Sequence, residues 1–458
     1  MSPRDVAALP LDQIASALGE ISCPSTLDEF AASLAKPYHN VMRCRRGVDP
    51  GTLGTSAAAV PWYSLAWRPV DGTTAPSRTI AYACGDFFVQ DAGSLLALAA
   101  AGTDGDGLRG KLVCDLCAAP GGKATALAEA VALGPDEAGQ HGFVLANEVI
   151  RSRIGPLQLN LARTGSDRFA ISNSDPESLA DRLPGVFDLV VVDAPCSGQA
   201  MMGRGKQKTS ALSEHQIQHS ASRQRRILDA AAKLVRNGGQ LVYSTCTFAE
   251  AENEGQIQRL IDSGLATPRP VESLKDYETL SGCYRCWPQI HDCAGSFAAS
   301  ITIHRANPLV PRKRPGKKRR SLQSAKPPSE IQNWYADWEA SRLCVQDSIV
   351  LGFPQQAPAW AEQVAVSGPE VAHRAGQTWK PAHAGALRRD SIALPCDTIE
   401  IDLDACRQFM RGEPIRSEAR GWNVVRFKGR PLGWIKADGR IGKNHLPSAA
   451  RMTGELSE

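Results

Sequence analysis

The sequence has no apolar run approaching the roughly 20 residues that a helix needs to span a bilayer, and the stretch from Met1 to Glu20 has no apolar leader core. Membrane insertion and export are therefore not expected. Strong charge of either sign is also missing. Against 52 Lys and Arg stand 48 Asp and Glu, a net +4, which permits an anionic partner without demanding one. Regular cysteine spacing is absent too. Thirteen cysteines scattered through 458 residues do not make a disulfide scaffold and point to the reduced cytoplasm, where a working thiol survives. Finally, the loop Cys117-Ala118-Ala119-Pro120-Gly121-Gly122-Lys123 fits neither the dinucleotide fingerprint nor the phosphate-loop pattern, which argues against NAD and ATP.

What is present from Ile80 onward is a regular alternation. Strands are predicted over 111–116, 142–147, 168–172, 187–192 and 240–244, with helices over 125–132, 151–164, 175–182 and 222–235. Such alternation means a mostly parallel sheet covered on both faces. A strand pair over 282–304 reads as its antiparallel edge. Before this block lie two short amphipathic helices, over 6–18 and 26–34, the second capped by Ser25 or Thr26 with Asp28 and Glu29 in its first turn. Arg43, Arg45 and Arg46 follow and read as solvated surface. After the block, 308–328 carries the run Arg312-Lys313-Arg314-Pro315-Gly316-Lys317-Lys318-Arg319-Arg320 between prolines. It can bury no core and is a linker, serving either as a phosphate-binding arm or as a solubilising tether. Beyond it, 331–343 looks helical, with Trp334, Tyr335 and Trp338 at core spacing, and 391–452 reads as a small β-rich barrel. A chain this long should hold two or three domains. We divide it into 1–76, 77–306, the linker 307–330, and 331–458.

The organising stretch is Leu241-Val242-Tyr243-Ser244-Thr245-Cys246-Thr247, a buried strand that turns small and polar and ends in a thiol. Cys196 stands in the same relation to the predicted strand over 187–192, through Asp193-Ala194-Pro195-Cys196-Ser197-Gly198. Open α/β sheets build their sites at such carboxyl ends, so two thiols and a carboxylate are expected in one crevice. The Cys117 to Lys123 loop lies between a strand and a helix, where glycines let a ligand reach the backbone and a helix N-terminus attracts an anionic group. Glu148 and Asp175 end the next two predicted strands. Their order suits S-adenosylmethionine: carboxylate at the loop, ribose hydroxyls on Glu148, adenine amine near Asp175.

Three motifs in order, Asp115-Leu116-Cys117-Ala118-Ala119-Pro120-Gly121-Gly122-Lys123, Asp193-Ala194-Pro195-Cys196-Ser197-Gly198, and Tyr243-Ser244-Thr245-Cys246-Thr247 with Glu252-Asn253-Glu254, resemble the Nol/Nop/Sun group of RNA cytosine-carbon-5 methyltransferases, most closely its bacterial RsmF-type ribosomal RNA enzymes. A weaker likeness covers Pro431 to Lys436 and Lys443 to Pro447, similar to the C-terminal PUA-like RNA-binding domain of that group. The resemblance implies a Rossmann-like seven-stranded α/β methyltransferase sheet with a small N-terminal α/β RNA-binding region and a C-terminal β-rich RNA-binding domain. It implies S-adenosylmethionine as cofactor, held by Cys117, Ala118, Ala119, Pro120, Gly121, Gly122, Lys123, Glu148, Arg153, Asp175 and Asp193. It further implies that Cys246 adds to carbon 6 of cytosine, that Asp193 protonates the ring nitrogen, that Lys123 lies beside the base, and that Cys196 resolves the adduct. The substrate expected is small-subunit ribosomal RNA, with transfer RNA as the alternative, and the protein is expected to act as a cytoplasmic monomer.

Two competing readings are weighed. DNA cytosine methylation would make Cys196 the attacker and leave Cys246 without a task. A non-catalytic assembly factor would not need both cysteines and Asp193. The sequence also departs from the group: Gln199-Ala200-Met201-Met202 replaces a glycine and an aromatic-basic pair, with Arg204 and Lys206 as the available bases, and Gly93 stands where serine is common. One constellation, Cys283, Cys286, His291 and Cys293, superficially has zinc-knuckle spacing. We read it as metal-free, because the same stretch suits the strand pair beside the RNA site.

Overall fold

The computed structural model describes residues 9–53, 57–69, 76–135, 137–307, 309–311, 328–389, 394–452, 454 and 456. The basic run 312–320 lies outside the described residues.

Its centre is a ten-stranded sheet. In chain order the strands are β1 (Leu112–Asp115), β2 (Phe143–Asn147), β3 (Phe169–Ser172), β4 (Phe187–Asp193), β5 (Val235–Thr245), β6 (Ala266–Pro268), β7 (Glu278–Leu280), β8 (Cys283–Cys286), β9 (Ser296–Ile303) and β10 (Ala365–Ser367). The order across the sheet is β7-β8-β9-β5-β4-β1-β2-β3-β10, with β6 also on β9. Strands β1 to β5 run parallel, and β9 is antiparallel to β5. Side chains alternate between two cores. Val113, Val144, Ile171 and Val191 enter one, and Cys114, Leu145, Ala170 and Val190 enter the other. Burial on both faces explains why these strands read as continuous apolar runs, each buried valine, leucine or isoleucine contributing about 1.5–3 kcal/mol. The sheet is wider than the seven strands expected because short strands extend both edges. The order reverses at β1, and the crevice at its carboxyl end is where such sheets bind ligands.

Several expectations are corrected. The helix predicted from Ser222 begins at Glu214 and runs to Leu234, capped by Ser213, whose hydroxyl accepts from Gln216 N–H. Buried Ser220 and Gln224 sit in its inward stripe and mask the apolar period. The region 331–343 is not an α-helix. Two 3-10 turns, Ser329–Asn333 and Trp338–Ala340, flank Asp337 at a φ of 50°, and a strand follows at Ser341–Gln346. Here tertiary burial of Trp334 and Tyr335 overrides local helical propensity. Arg43 is not solvated surface: it is 2% exposed, and its guanidinium meets Glu129 at 2.5 Å and Thr125 at 3.0 Å.

The N-terminal four-stranded sheet is built from Ala57–Ala59, Ala66–Pro69, Asn40–Cys44 and Phe87–Asp91, so it takes its last strand from beyond residue 76. The C-terminal region forms two further sheets, over 341–381 and 398–444, and lends β10 to the central one. Ser367 and Gly368 are clasped there by Gln158, through hydrogen bonds of 2.7 and 2.8 Å.

Candidate active site

Strands β4 and β5 pair in parallel with Asp193 opposite Ser244. The register brings the two thiols that follow them together, Cys196 Sγ 3.2 Å from Cys246 Sγ. The hydrogen bond to Cys246, and then burial, push the Cys196 thiol well above its usual range. Cys196 therefore keeps its proton and can donate it toward Cys246.

The Glu252-Asn253-Glu254 run clamps both thiol-bearing loops. Glu252 accepts from Ser197 N–H at 3.0 Å and from Gln224 at 2.8 Å. Asn253 accepts from Thr245 Oγ1 at 2.5 Å and donates to the Thr247 carbonyl at 2.9 Å. Glu254 meets Arg285 at 2.7 and 2.5 Å in a fully buried pair, and Arg285 also donates to the Phe248 carbonyl. Direct ties join the loops as well: Ala200 N–H donates to the Cys246 carbonyl and Phe248 N–H to Gln199 Oε1. Thr26 caps the helix Leu27–Leu34 in a capping box with Glu29. That helix packs Phe30 edge-on against Phe248 and Trp287, at 4.8 and 5.5 Å.

At the end of β4, Asp193 accepts from Ser244 Oγ at 2.9 Å and faces Lys123 Nζ at 2.9 Å. Burial works against the Lys123 charge, but Asp193, with Asp115 behind it, holds the ammonium above its usual range. Asp115 itself is fully buried, and neither carboxylate oxygen has a hydrogen-bond partner among the described residues. Burial and the like charge of Asp193 push its carboxyl up to about 7.

Two cavities meet here. One, of about 310 Å³, is lined by Asp115, Cys117, Ala118, Ala119, Pro120, Gly122 and Lys123 along one wall. The other, of about 250 Å³, is lined by Cys246, Ser244, Thr245, Gly93 and Phe297 among others. Asp91, Ser94, Lys123, Asp193 and Arg204 line both. The two spaces thus share one charged partition.

The 16S rRNA methyltransferase RsmB/F family matches residues 108–302, and the methyltransferase RsmF PUA domain matches residues 396–452. The chain belongs to the RsmB/F family. It is an S-adenosylmethionine-dependent RNA cytosine-5 methyltransferase of that family. It is similar to the ribosomal RNA small subunit methyltransferase F of Klebsiella pneumoniae, 29% identical over 94% of each chain, and to that of Aeromonas salmonicida, 27% identical over 92% of this chain and 93% of the relative. Among solved structures, a methyltransferase homologue from Pyrococcus horikoshii superposes with TM-score 0.53 at 24% identity, over 64% of this chain and 93% of that one. NSun6 from the same organism, crystallised with SFG, gives TM-score 0.53 at 18% identity over 61% and 94%. These likenesses show the fold. No described helix is long and apolar enough to cross a membrane.

In this RsmB/F family member the predicted cofactor residues are not equally placed. Glu148 is buried, accepts from Ile150 N–H at 2.8 Å and pairs with Arg153 at 3.3 Å. Arg153 in turn donates to the Ala119 carbonyl, tying that pair to the loop. Asp175 is exposed and spends one oxygen capping its own helix, Pro176–Arg182. None of these three lines the 310 Å³ cavity. The zinc-like constellation is split: Cys286 and Cys293 enter one core, Cys283 the opposite one, and His291 Nδ1 accepts from Trp287 N–H. Sequence reasoning missed Asp115 and Ser244 as site residues, and Asp91 as the carboxylate that holds Arg204 at 2.8 Å. Asp115 and Ser244 sit in the quoted motifs and Asp91 two residues before Gly93, but only the fold shows which way they point. Gly93 is explained by space, since a Cβ there would stand 2.9 Å from Asp91 Oδ1 and 3.2 Å from the Gly295 backbone.

Proposed function

We propose that this enzyme methylates carbon 5 of a cytosine in small-subunit ribosomal RNA, with Cys246 as nucleophile. The observation carrying the assignment is that Cys246, not Cys196, lines the 250 Å³ cavity together with Lys123 and Asp193. The kinship with small-subunit methyltransferases supports the ribosomal substrate.

The flipped cytosine enters beside Lys123 and Asp193. Cys246 Sγ bonds to carbon 6, and the carbon 5–carbon 6 double-bond electrons move into the ring, where Asp193 protonates nitrogen 3. Carbon 5 thereby becomes enamine-like and nucleophilic. S-adenosylmethionine supplies the methyl group as a sulfonium electrophile when bound. The residues present fit that group in part: the unpartnered Asp115 carboxylate suits its ammonium, and the loop from Cys117 to Lys123, with Asp193, would hold the remainder, whereas Glu148, Arg153 and Asp175 stand outside this cavity's lining. A base then takes the carbon 5 proton, the carbon 5–carbon 6 double bond re-forms as the carbon 6–sulfur bond breaks, nitrogen 3 gives its proton back to Asp193, and Cys196 assists by hydrogen-bonding the departing Cys246 thiolate.

The test is trapping. Cys196→Ala incubated with ribosomal RNA and cofactor should accumulate a denaturant-resistant protein–RNA adduct that Cys246→Ala cannot form. The reverse pattern would support the attack by Cys196 that DNA methylation chemistry requires, and no adduct from either would support the assembly factor. Bisulfite sequencing of ribosomal and transfer RNA from a deletion strain identifies the substrate; loss of 5-methylcytosine from transfer RNA alone would overturn the ribosomal assignment.

A further inference from the structure

The strands Arg420–Phe427, Arg430–Asp438 and Ile441–Asn444 pair so that Trp422 lies opposite Lys436 and Lys436 opposite Lys443. All three side chains share one face of that sheet. Lys436 and Lys443 are exposed, and among the described residues neither has a carboxylate partner. Lysines directly opposite one another repel, so this pairing costs the free protein stability. Lys436 Nζ stands 5.9 Å from the Trp422 ring centroid, and the His445 ring is 4.4 Å from the same indole.

A second pair reaches the same place from the neighbouring sheet. His373, on Glu370–Ala375, lies opposite Lys380, on Thr378–Pro381. Lys380 likewise has no carboxylate partner among the described residues. After burial, the charges of Lys380, Lys443 and Lys436, with His373, push the His445 ring down to about 4. His445 is therefore neutral at pH 7, and its buried Nε2 has no hydrogen-bond partner among the described residues. Lys436 thus stands on the aromatic pair with Lys443 opposite it, Lys380 of the neighbouring sheet is near enough to act on the His445 ring, and no acid among the described residues is paired with any of the three.

We infer that Lys380, Lys436 and Lys443 form a composite seat for RNA backbone phosphates at the junction of the two C-terminal sheets, with Trp422 and His445 as the aromatic floor for an adjoining sugar or base. A basic track with an aromatic face is the usual chemistry of single-strand binding, and an anion would relieve the Lys436–Lys443 repulsion. The inference rests on the RNA substrate but not on the roles of the cysteines. It also spans more than the residues matched by the PUA domain, because Lys380 lies outside 396–452.

The experiment is fluorescence anisotropy of labelled poly(U) with full-length protein, without cofactor, over a range of salt. Changing Lys380, Lys436 and Lys443 together to Gln should reduce the slope of log affinity against log salt by about 2, since each phosphate contact on a single strand contributes ~0.7, and should weaken binding about tenfold or more at physiological salt. The triple Lys→Arg variant should retain both. The Gln variant should melt no lower than the parent, because it removes like charges set against each other, so a binding loss cannot come from unfolding. An unchanged slope overturns the seat, and so does an unchanged slope accompanied by lost retention on polyglutamate, which would assign the patch to an acidic protein. Failure of methyl transfer would leave this slope intact, and a failed slope would leave the adduct experiment intact.

Discussion

Cys196 Sγ lies 3.2 Å from Cys246 Sγ, and that contact, with burial, pushes the Cys196 thiol well above its usual range. Folded protein treated with iodoacetamide at neutral pH should be alkylated at Cys246 well before Cys196, because the thiolate is the reactive form. Peptide mass spectrometry over time reads the order, and earlier loss of Cys196 would contradict the assignment.

Glu254 and Arg285 are 2% and 0% exposed and doubly hydrogen-bonded. Removing one partner strands a buried charge, at a cost of about 3–5 kcal/mol. Glu254→Ala should accordingly lower the denaturation midpoint sharply. Replacing both by apolar residues of similar volume, as in Glu254→Leu with Arg285→Met, should recover most of that loss. Urea titration of the two variants makes the comparison, and equal losses would show that the pair matters only as packing.

Asp115 titrates near 3.8 when unfolded and at about 7 in the folded protein. Across that window the folded state binds the proton more tightly. The stability from this group is fully present below the unfolded value and is lost as pH rises through 7. Asp115→Asn should flatten that part of the pH–stability curve and melt higher than the parent at about pH 8 in the absence of cofactor. Thermal melts against pH check this; parallel curves would refute it.

His383 shifts the other way. Desolvation pushes the ring of this half-buried residue from 6.5 down to about 4, and its Nδ1 has no hydrogen-bond partner among the described residues. The unfolded chain takes up the proton first as pH falls, so stability present above 6.5 is lost toward 4. His383→Leu should lessen the acid sensitivity, which is read as a smaller drop in melting temperature between neutral and mildly acidic buffer.

The central sheet was legible because strands buried on both faces leave an unambiguous apolar signature, and because Ser244 and Asp193 mark where that signature ends. The two cysteines were legible for the same reason. Arg43 was not: a lone arginine beside two others reads as surface, and only Glu129, 86 residues away in sequence, makes it a core residue. The Trp334–Tyr335 region misled because aromatic spacing reports burial without reporting the backbone that achieves it. Asp175 and Glu148 show a related limit. The sequence places them at successive strand ends, but their side chains are engaged by the neighbouring backbone and by Arg153. The Lys436–Lys443 pair depends on strand register, which spacing alone does not disclose.

Strand β10 has a consequence for scale. The segment that carries the C-terminal sheets is hydrogen-bonded into the edge of the catalytic sheet and clasped by Gln158, so its place does not depend on the covalent connection alone. The separation between a nucleotide gripped by those sheets and the carbon to be methylated is then a built-in measure, as in a caliper whose jaws share one frame. Lengthening 312–320 should leave that measure unaltered, whereas unzipping β10 from β3 would let the jaws drift and would bare a sheet edge to stray pairing.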